Sequence, residues 1–302
     1  MWRPVAYTPV ILKYTARSIV TALLLAGAML TMRAGAVAQL PQRQSLTVMT
    51  FNIRYGTAKD GENDWAARRA LLFDILRDQN ADVIGLQEAL DFQIDEMLEA
   101  VPGYAVVGVG RNDGARKGEY AAILFRRDRL QVGASGTFWF SDTPDVVAST
   151  AWGNRITRIC TWARFIDRDG RAFWQFNVHL DHESQPSRVK SVQFLRKRID
   201  ARPFREDPVV VTGDFNVGER NAALTALTSD GAFIDTFRVL YPDERVAGTF
   251  NGFSGKTEDD KIDYVFVQPG TSVLAAAIVR TSRDNRYASD HFPVTARIRL
   301  KD

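Results

Sequence analysis

The chain reads as an α/β protein in which two sheets pack face to face and helices cover the outside. Three observations lead there: an opening unit of strand, helix and strand, a middle dominated by strands, and a later half where helices alternate with short apolar strands. The opening strand is expected over 45–53 (SLTVMTFNI). A helix over 65–79 follows, with Leu71, Leu72, Ile75 and Leu76 at helical spacing, and then a strand over 82–87 (DVIGLQ). A helix near 90–101 leads into strand patterns at 104–109, 119–125, 132–140, 156–166 and 171–180. Ser184 or Pro186 is suited to open a helix reaching about Ala201, whose apolar stripe is Val189, Val192, Leu195 and Ile199. The chain closes with a short strand at 208–212, a helix near 221–228, and strands at 262–267, 274–280 and 293–300.

Of the 302 residues, 45% are hydrophobic and 25% charged, which excludes a disordered tail or a low-complexity fibre. The single cysteine, Cys160, excludes an intramolecular disulfide framework and any cysteine-built zinc or iron–sulfur site within one chain. A formal charge of +3 would suggest an anionic partner, but its location removes that inference. Residues 1–38 hold Arg3, Lys13, Arg17 and Arg33 and no acid; taking these four from 39 basic residues leaves 35 against 36 acidic ones. The rest of the chain is near neutral, with no basic excess to track a nucleic-acid backbone.

The same 38 residues have the layout of a secretory signal peptide. Basic residues precede an apolar run from Ile19 to Leu30, and Ala36-Val37-Ala38 follows at cleavage distance. That run of 12 residues is short of the roughly 20 needed to span a bilayer, so export with no stable membrane span is expected; an uncleaved anchor is the alternative. With no repeat, low-complexity segment or long linker afterwards, residues 39–302 are expected to form one catalytic domain and to act as a monomer.

Polar residues able to work on metals or phosphates recur at strand ends, where a sheet fixes position and a loop gives access. Asn52 lies in TFNIR, Glu88 ends GLQE, Glu119 and Tyr120 open GEYAAILF, and Asn177 and His179 lie in NVHLDH. Asp214 and Asn216 lie in GDFN, Asp263 in KIDYVFV, and Asp290 with His291 in SDH. All three histidines, His179, His182 and His291, fall inside two of these motifs. Taken singly, Glu88 reads equally as a solvated carboxylate, GDFN as a turn, each histidine as a core residue, and Asp263 as a partner of Lys261. Their order along the chain is what argues for chemistry.

In that order, TFNIR, LQE, NVHLDH, GDFN, ID and SDH resemble the motifs of the endonuclease/exonuclease/phosphatase family, metal-dependent phosphoesterases, over about 46–300. The resemblance implies a four-layer α/β/β/α sandwich of two mixed sheets with outer helices. It also implies a Mg2+ (or Mn2+) cofactor held by Glu88 with Asn52 and Asp290 nearby, hard oxygen donors suited to that ion. Asp214 would orient or deprotonate the attacking water, with Asn216 holding the phosphate or that carboxylate. His291 would donate to the phosphate, backed by Asp263, and His179 would be a second phosphate contact. Glu119, Tyr120 and Asn177 are secondary candidates for binding substrate. Asp181, His182 and Arg188 resemble a bacterial subgroup with an NTHLDH run and are expected either to line the pocket or to fix its loop. The favoured reading is an exported hydrolase of a phosphorylated small molecule, lipid head group or glycan. An extracellular nuclease and a non-catalytic binding protein on the same scaffold are the alternatives.

Overall fold

The computed structural model describes residues 44–301, and the expected leader lies outside them. The chain order is β1 (Leu46–Asn52), a 3-10 turn (Gly61–Asn63), α1 (Trp65–Gln79), β2 (Val83–Gln87), α2 (Asp91–Ala100), β3 (Tyr104–Val107), β4 (Ile123–Arg126), β5 (Leu130–Trp139), β6 (Ile159–Asp167) and β7 (Ala172–His179). It continues with α3 (Gln185–Asp200), β8 (Val209–Asp214), α4 (Ala222–Thr228), β9 (Ile234–Asp235), α5 (Thr236–Leu240), β10 (Asp263–Val267), β11 (Ser272–Ile278), β12 (Ser282–Arg283), β13 (Arg286–Tyr287) and β14 (Val294–Arg299).

Two six-stranded sheets result, ordered β11-β14-β1-β2-β4-β3 and β5-β6-β7-β8-β10-β9. Each is mixed: β1 runs parallel to β2 and β7 to β8, while the other pairs in the two sheets are antiparallel. The parallel pairs each need a crossover, and α1 and α3 supply them. Asp64 caps α1 by accepting from Ala67 N–H at 3.0 Å, and Asn80 ends the helix in the left-handed region at φ 42°. Its predicted stripe of Leu71, Leu72, Ile75 and Leu76 packs on Phe51, Ile84 and Leu86 of the sheet. Ser184 caps α3, and Val192, Leu195 and Ile199 pack on Phe176, Val178 and Val211. The expected α/β sandwich is therefore the observed one.

Two local expectations change. The strand expected from Glu119 begins only at Ile123, and Tyr120 makes an isolated bridge to Ala89. The Ala122 carbonyl, accepting from Leu86 N–H at 2.8 Å, also accepts from the Asn177 amide at 2.9 Å, so the pairing there is shared with a side chain. The short β9 and α5 went unread, since 234–240 offers too few residues for a period to show.

Between the sheets the filling changes character along the strands. Val48, Val83, Ile123 and Phe125 of the first sheet meet Phe165, Phe173, Val210 and Val265 of the second in a dry layer. Nearer the ends of β1, β2, β7 and β8 the layer becomes polar. Gln87 Nε2 donates to Asn177 Oδ1 at 2.7 Å and Thr212 Oγ1 donates to the same oxygen at 3.0 Å, while Asn177 Nδ2 donates to the Leu86 and Ala122 carbonyls. Gly85 permits this approach: a Cβ there would lie 2.4 Å from Asn177 Oδ1. Asn177 is thus a bolt between sheets, fully buried and fully bonded, and the expectation that it binds substrate is corrected. Replacing it by Leu removes four buried hydrogen bonds in the layer between the sheets. Asn177→Leu should lower unfolding free energy by about 3 kcal/mol or more, measured as a fall in the urea midpoint.

Candidate active site

The four parallel strands end on one cleft of about 720 Å3, lined among others by Arg54, Glu88, Arg111, Glu119, Arg158, His179, His182, Asp214, Asn216, Asp290 and His291. Three lining residues, Arg54, Glu88 and Asn216, adopt left-handed backbone with φ of 55°, 61° and 52° just beyond the ends of β1, β2 and β8. Such a conformation costs a non-glycine residue about 1 kcal/mol or more. Three in one cleft mark it as a place where the backbone is shaped for access.

Asp214, at the end of β8, is the cleft's centre. Its Oδ2 accepts from Asn52 Nδ2 at 3.0 Å and its Oδ1 from Asn216 N–H at 2.8 Å, while the Nε2 atoms of His179 and His291 stand 3.6 and 3.9 Å from Oδ2. Burial, reinforced by the Asp263 charge, pushes the Asp214 carboxyl up to about 7. Behind His291, Asp263 Oδ2 accepts from its Nδ1 at 2.9 Å. Burial opposes charge on this ring, yet Asp263, with Asp214 and Asp290, outweighs it and raises the imidazolium to about 10. His179 is the opposite case: burial, with Arg158 and Arg111 close by, holds it well below the ordinary histidine range.

Glu88 receives Asn52 Nδ2 on one oxygen at 3.1 Å and Tyr55 N–H on the other at 3.2 Å. Glu88, Glu119 and His179 offer ligand atoms within 4.8 Å of one another, as do Asp214, Asp263 and His291. Several of these atoms are already engaged. Glu119 pairs with Arg111 Nη2 at 2.5 Å, and burial pushes its carboxyl up against that guanidinium. Glu88 and Asp290 remain as cleft-lining carboxylates with oxygen donors only, the chemistry that suits a hard divalent cation.

The structure thus brings Glu88, Glu119, His179, His182, Asp214, Asn216, Asp290 and His291 to one surface, with Asn52 and Asp263 bonded directly behind. Asn52 presents its amide N–H groups to Glu88 and Asp214, and its Oδ1 accepts from Arg54 N–H at 3.0 Å, so it supports the two carboxylates as a donor. The expectation of substrate contact by Tyr120 is corrected, and of the two roles open to Asp181 and Arg188 the contacts favour fixing the loop. Tyr120 is buried in the core beneath α2, its hydroxyl 2.9 Å from both Asp91 Oδ1 and the Ala115 carbonyl. Asp181 is buried and accepts from Glu183 and Ser184 N–H, pinning the turn into α3. Arg188 donates to the Asp181 carbonyl at 2.7 Å and to Gln185, holding the same turn from the helix side. Both act on loop shape.

The cleft's guanidinium groups went unread in the sequence. Arg158 lies just before β6, where the antiparallel register sets it opposite Leu180, and having left the strand's alternation it reaches His179 Nε2 at 3.0 Å. An arginine leading into a strand that pairs with NVHLDH was the available signal. Arg111 comes from the irregular loop 108–118 and offers none.

Comparison with known proteins agrees with this geometry. Residues 49–291 match the Endonuclease/Exonuclease/phosphatase family. A mannosyl-6-phosphatase of Bacteroides thetaiotaomicron VPI-5482 superposes with a TM-score of 0.77 at 34% identity, covering 84% of this chain and 99% of that one. An endonuclease/exonuclease/phosphatase family protein of Bacteroides thetaiotaomicron gives 0.79 at 34% identity over 85% and 98%. An uncharacterized protein of Acanthamoeba polyphaga mimivirus is 30% identical over 226 residues, 67% of this chain and 79% of its own length.

The His291 shift carries a sign. A folded pKa of about 10, above the unfolded value of about 6.5, contributes stability that is full below the unfolded value and is lost as pH rises through the folded one. In metal-free protein, Asp263→Asn should move the His291 NMR titration to lower pH. It should also flatten the loss of stability between about pH 6.5 and 10.

Proposed function

We propose, because the chain belongs to the endonuclease/exonuclease/phosphatase family and is thus one of its phosphoesterases, that it is an exported, divalent-metal-dependent hydrolase of a phosphate ester on a sugar or similar small polyol. The observation that carries this reading is the convergence of Glu88, Asp214, His291 and Arg158 from both sheets on one cleft. The name of the 34% identical Bacteroides thetaiotaomicron neighbour, a mannosyl-6-phosphatase, supports a sugar phosphate as substrate. The near-neutral chain after residue 38 supports a small ester over a nucleic-acid backbone, and the pattern of residues 1–38 supports export. Among the described residues no helix is long and apolar enough to cross a membrane.

Mg2+ held by Glu88 and Asp290 would neutralise charge on the phosphoryl oxygens. The protein's own groups account for the rest. Asp214, fixed by Asn52 and Asn216 N–H and raised to about 7, is suited to accept a proton from the attacking water near neutral pH. His291, kept protonated by Asp263, donates to a phosphoryl oxygen, and its fixed ring needs no reorientation as charge builds there. Arg158, only 3% exposed, adds a permanent cation at the floor.

The decisive experiment assays hexose 6-phosphates, p-nitrophenyl phosphate, a phosphodiester, phospholipid vesicles and DNA, each with Mg2+ and with EDTA. Metal-dependent release of phosphate from a hexose 6-phosphate, with DNA left intact, is expected; cleavage of DNA alone would overturn the substrate reading. Asp214→Asn and His291→Ala should each lower kcat by at least ~10²-fold with the circular dichroism spectrum unchanged. Glu88→Gln should raise the Mg2+ concentration needed for half-maximal rate.

A further inference from the structure

We propose that Arg158 is a positioning residue that fixes the ring tautomers of two histidines in the cleft, His179 as Nδ1–H and His182 as Nε2–H. Its guanidinium is buried, with Nη1 3.0 Å from His179 Nε2, Nη2 2.7 Å from His182 Nδ1, and Nε 3.4 Å from Asp181 Oδ2. A guanidinium carries donors only and does not deprotonate in a protein, so each ring nitrogen facing it must present a lone pair. The proton of each neutral ring therefore sits on its far nitrogen. For His179 that is Nδ1, which faces Glu119 Oε2 at 3.9 Å; for His182 it is Nε2, 3.8 Å from Glu183 Oε1 at the half-exposed mouth.

Two rings that look equivalent beside Asp214 are thereby given different work. His291 has a carboxylate behind it and His179 a guanidinium, although their Nε2 atoms lie at nearly the same distance from Asp214 Oδ2, 3.9 and 3.6 Å. With its Nε2 lone pair taken by Arg158, His179 has no proton there to give Asp214 or a phosphoryl oxygen. Asp214 is left free of a competing donor from that side. His182 in turn presents its Nε2–H at the cleft mouth, beside Glu183.

This consequence rests on the phosphoesterase reading of the cleft, but its test reads ring nitrogens and no turnover, so either can fail alone. Long-range 1H–15N correlation spectra of the EDTA-treated protein report which nitrogen of each ring bears a proton. His179→Gln, His182→Gln and His291→Gln assign the three rings. The wild type should show a non-protonated Nε2 in His179 and a non-protonated Nδ1 in His182. Arg158→Met, which keeps the stem and removes the donors, should shift the His179 proton to Nε2, while Arg158→Lys, still a donor-only cation, should keep it on Nδ1. A protonated Nε2 on His179 in the wild type, or an Nδ1–H form that persists in Arg158→Met, would overturn the proposal. Should Arg158→Met not fold, the wild-type and Arg158→Lys spectra decide it.

Discussion

The site exists because two sheets are held in register by a polar seam where a hydrophobic one would slide. Apolar side chains can pack at several offsets with similar energy, whereas Asn177, Gln87 and Thr212 satisfy one another at a single one. That register brings the ends of β1 and β2 opposite those of β7 and β8. The hydrogen bond from Asn52 on one sheet to Asp214 on the other, 3.0 Å long, is a direct product of it.

Because each parallel pair is tied by its own helix crossover, the described domain has two similar halves, one per sheet. Each half brings a different element of the chemistry. The first contributes carboxylate oxygen through Glu88 and the turning backbone at Arg54; the second contributes Asp214, Asn216 and His179. Neither half holds a complete set, so the cleft is an interface within one chain. The turn from β7 into α3 is correspondingly well braced, by Asp181 from below and by Arg188 from the helix.

Much of this was legible in the sequence. The helix over 65–79 showed its period, and the residues at strand ends were readable because strands are short and apolar between them. What stayed hidden depends on contacts distant in sequence. Asn177 and His179 lie two residues apart on one strand, and only their burial and partners reveal that one bolts sheets together while the other faces the cleft. Tyr120 and Glu119 are adjacent and part in the same way, one into the core and one toward Arg111. Arg158 and Arg111 gained meaning only from the side chains they meet.

The gathering of charge also constrains which residues can be changed without cost. Asp214 and Asp263 are both buried and close, and the Asp263 charge disfavours ionisation of Asp214. The imidazolium of His291 stands between them, bonded to one at 2.9 Å and 3.9 Å from the other. It is the internal counter-charge that lets two buried carboxylates coexist, whatever else the cleft holds. The same ring thus serves stability and chemistry at once, and the two cannot be separated by removing it. They separate only at Asp263, which touches the ring from behind and lies outside the cleft lining.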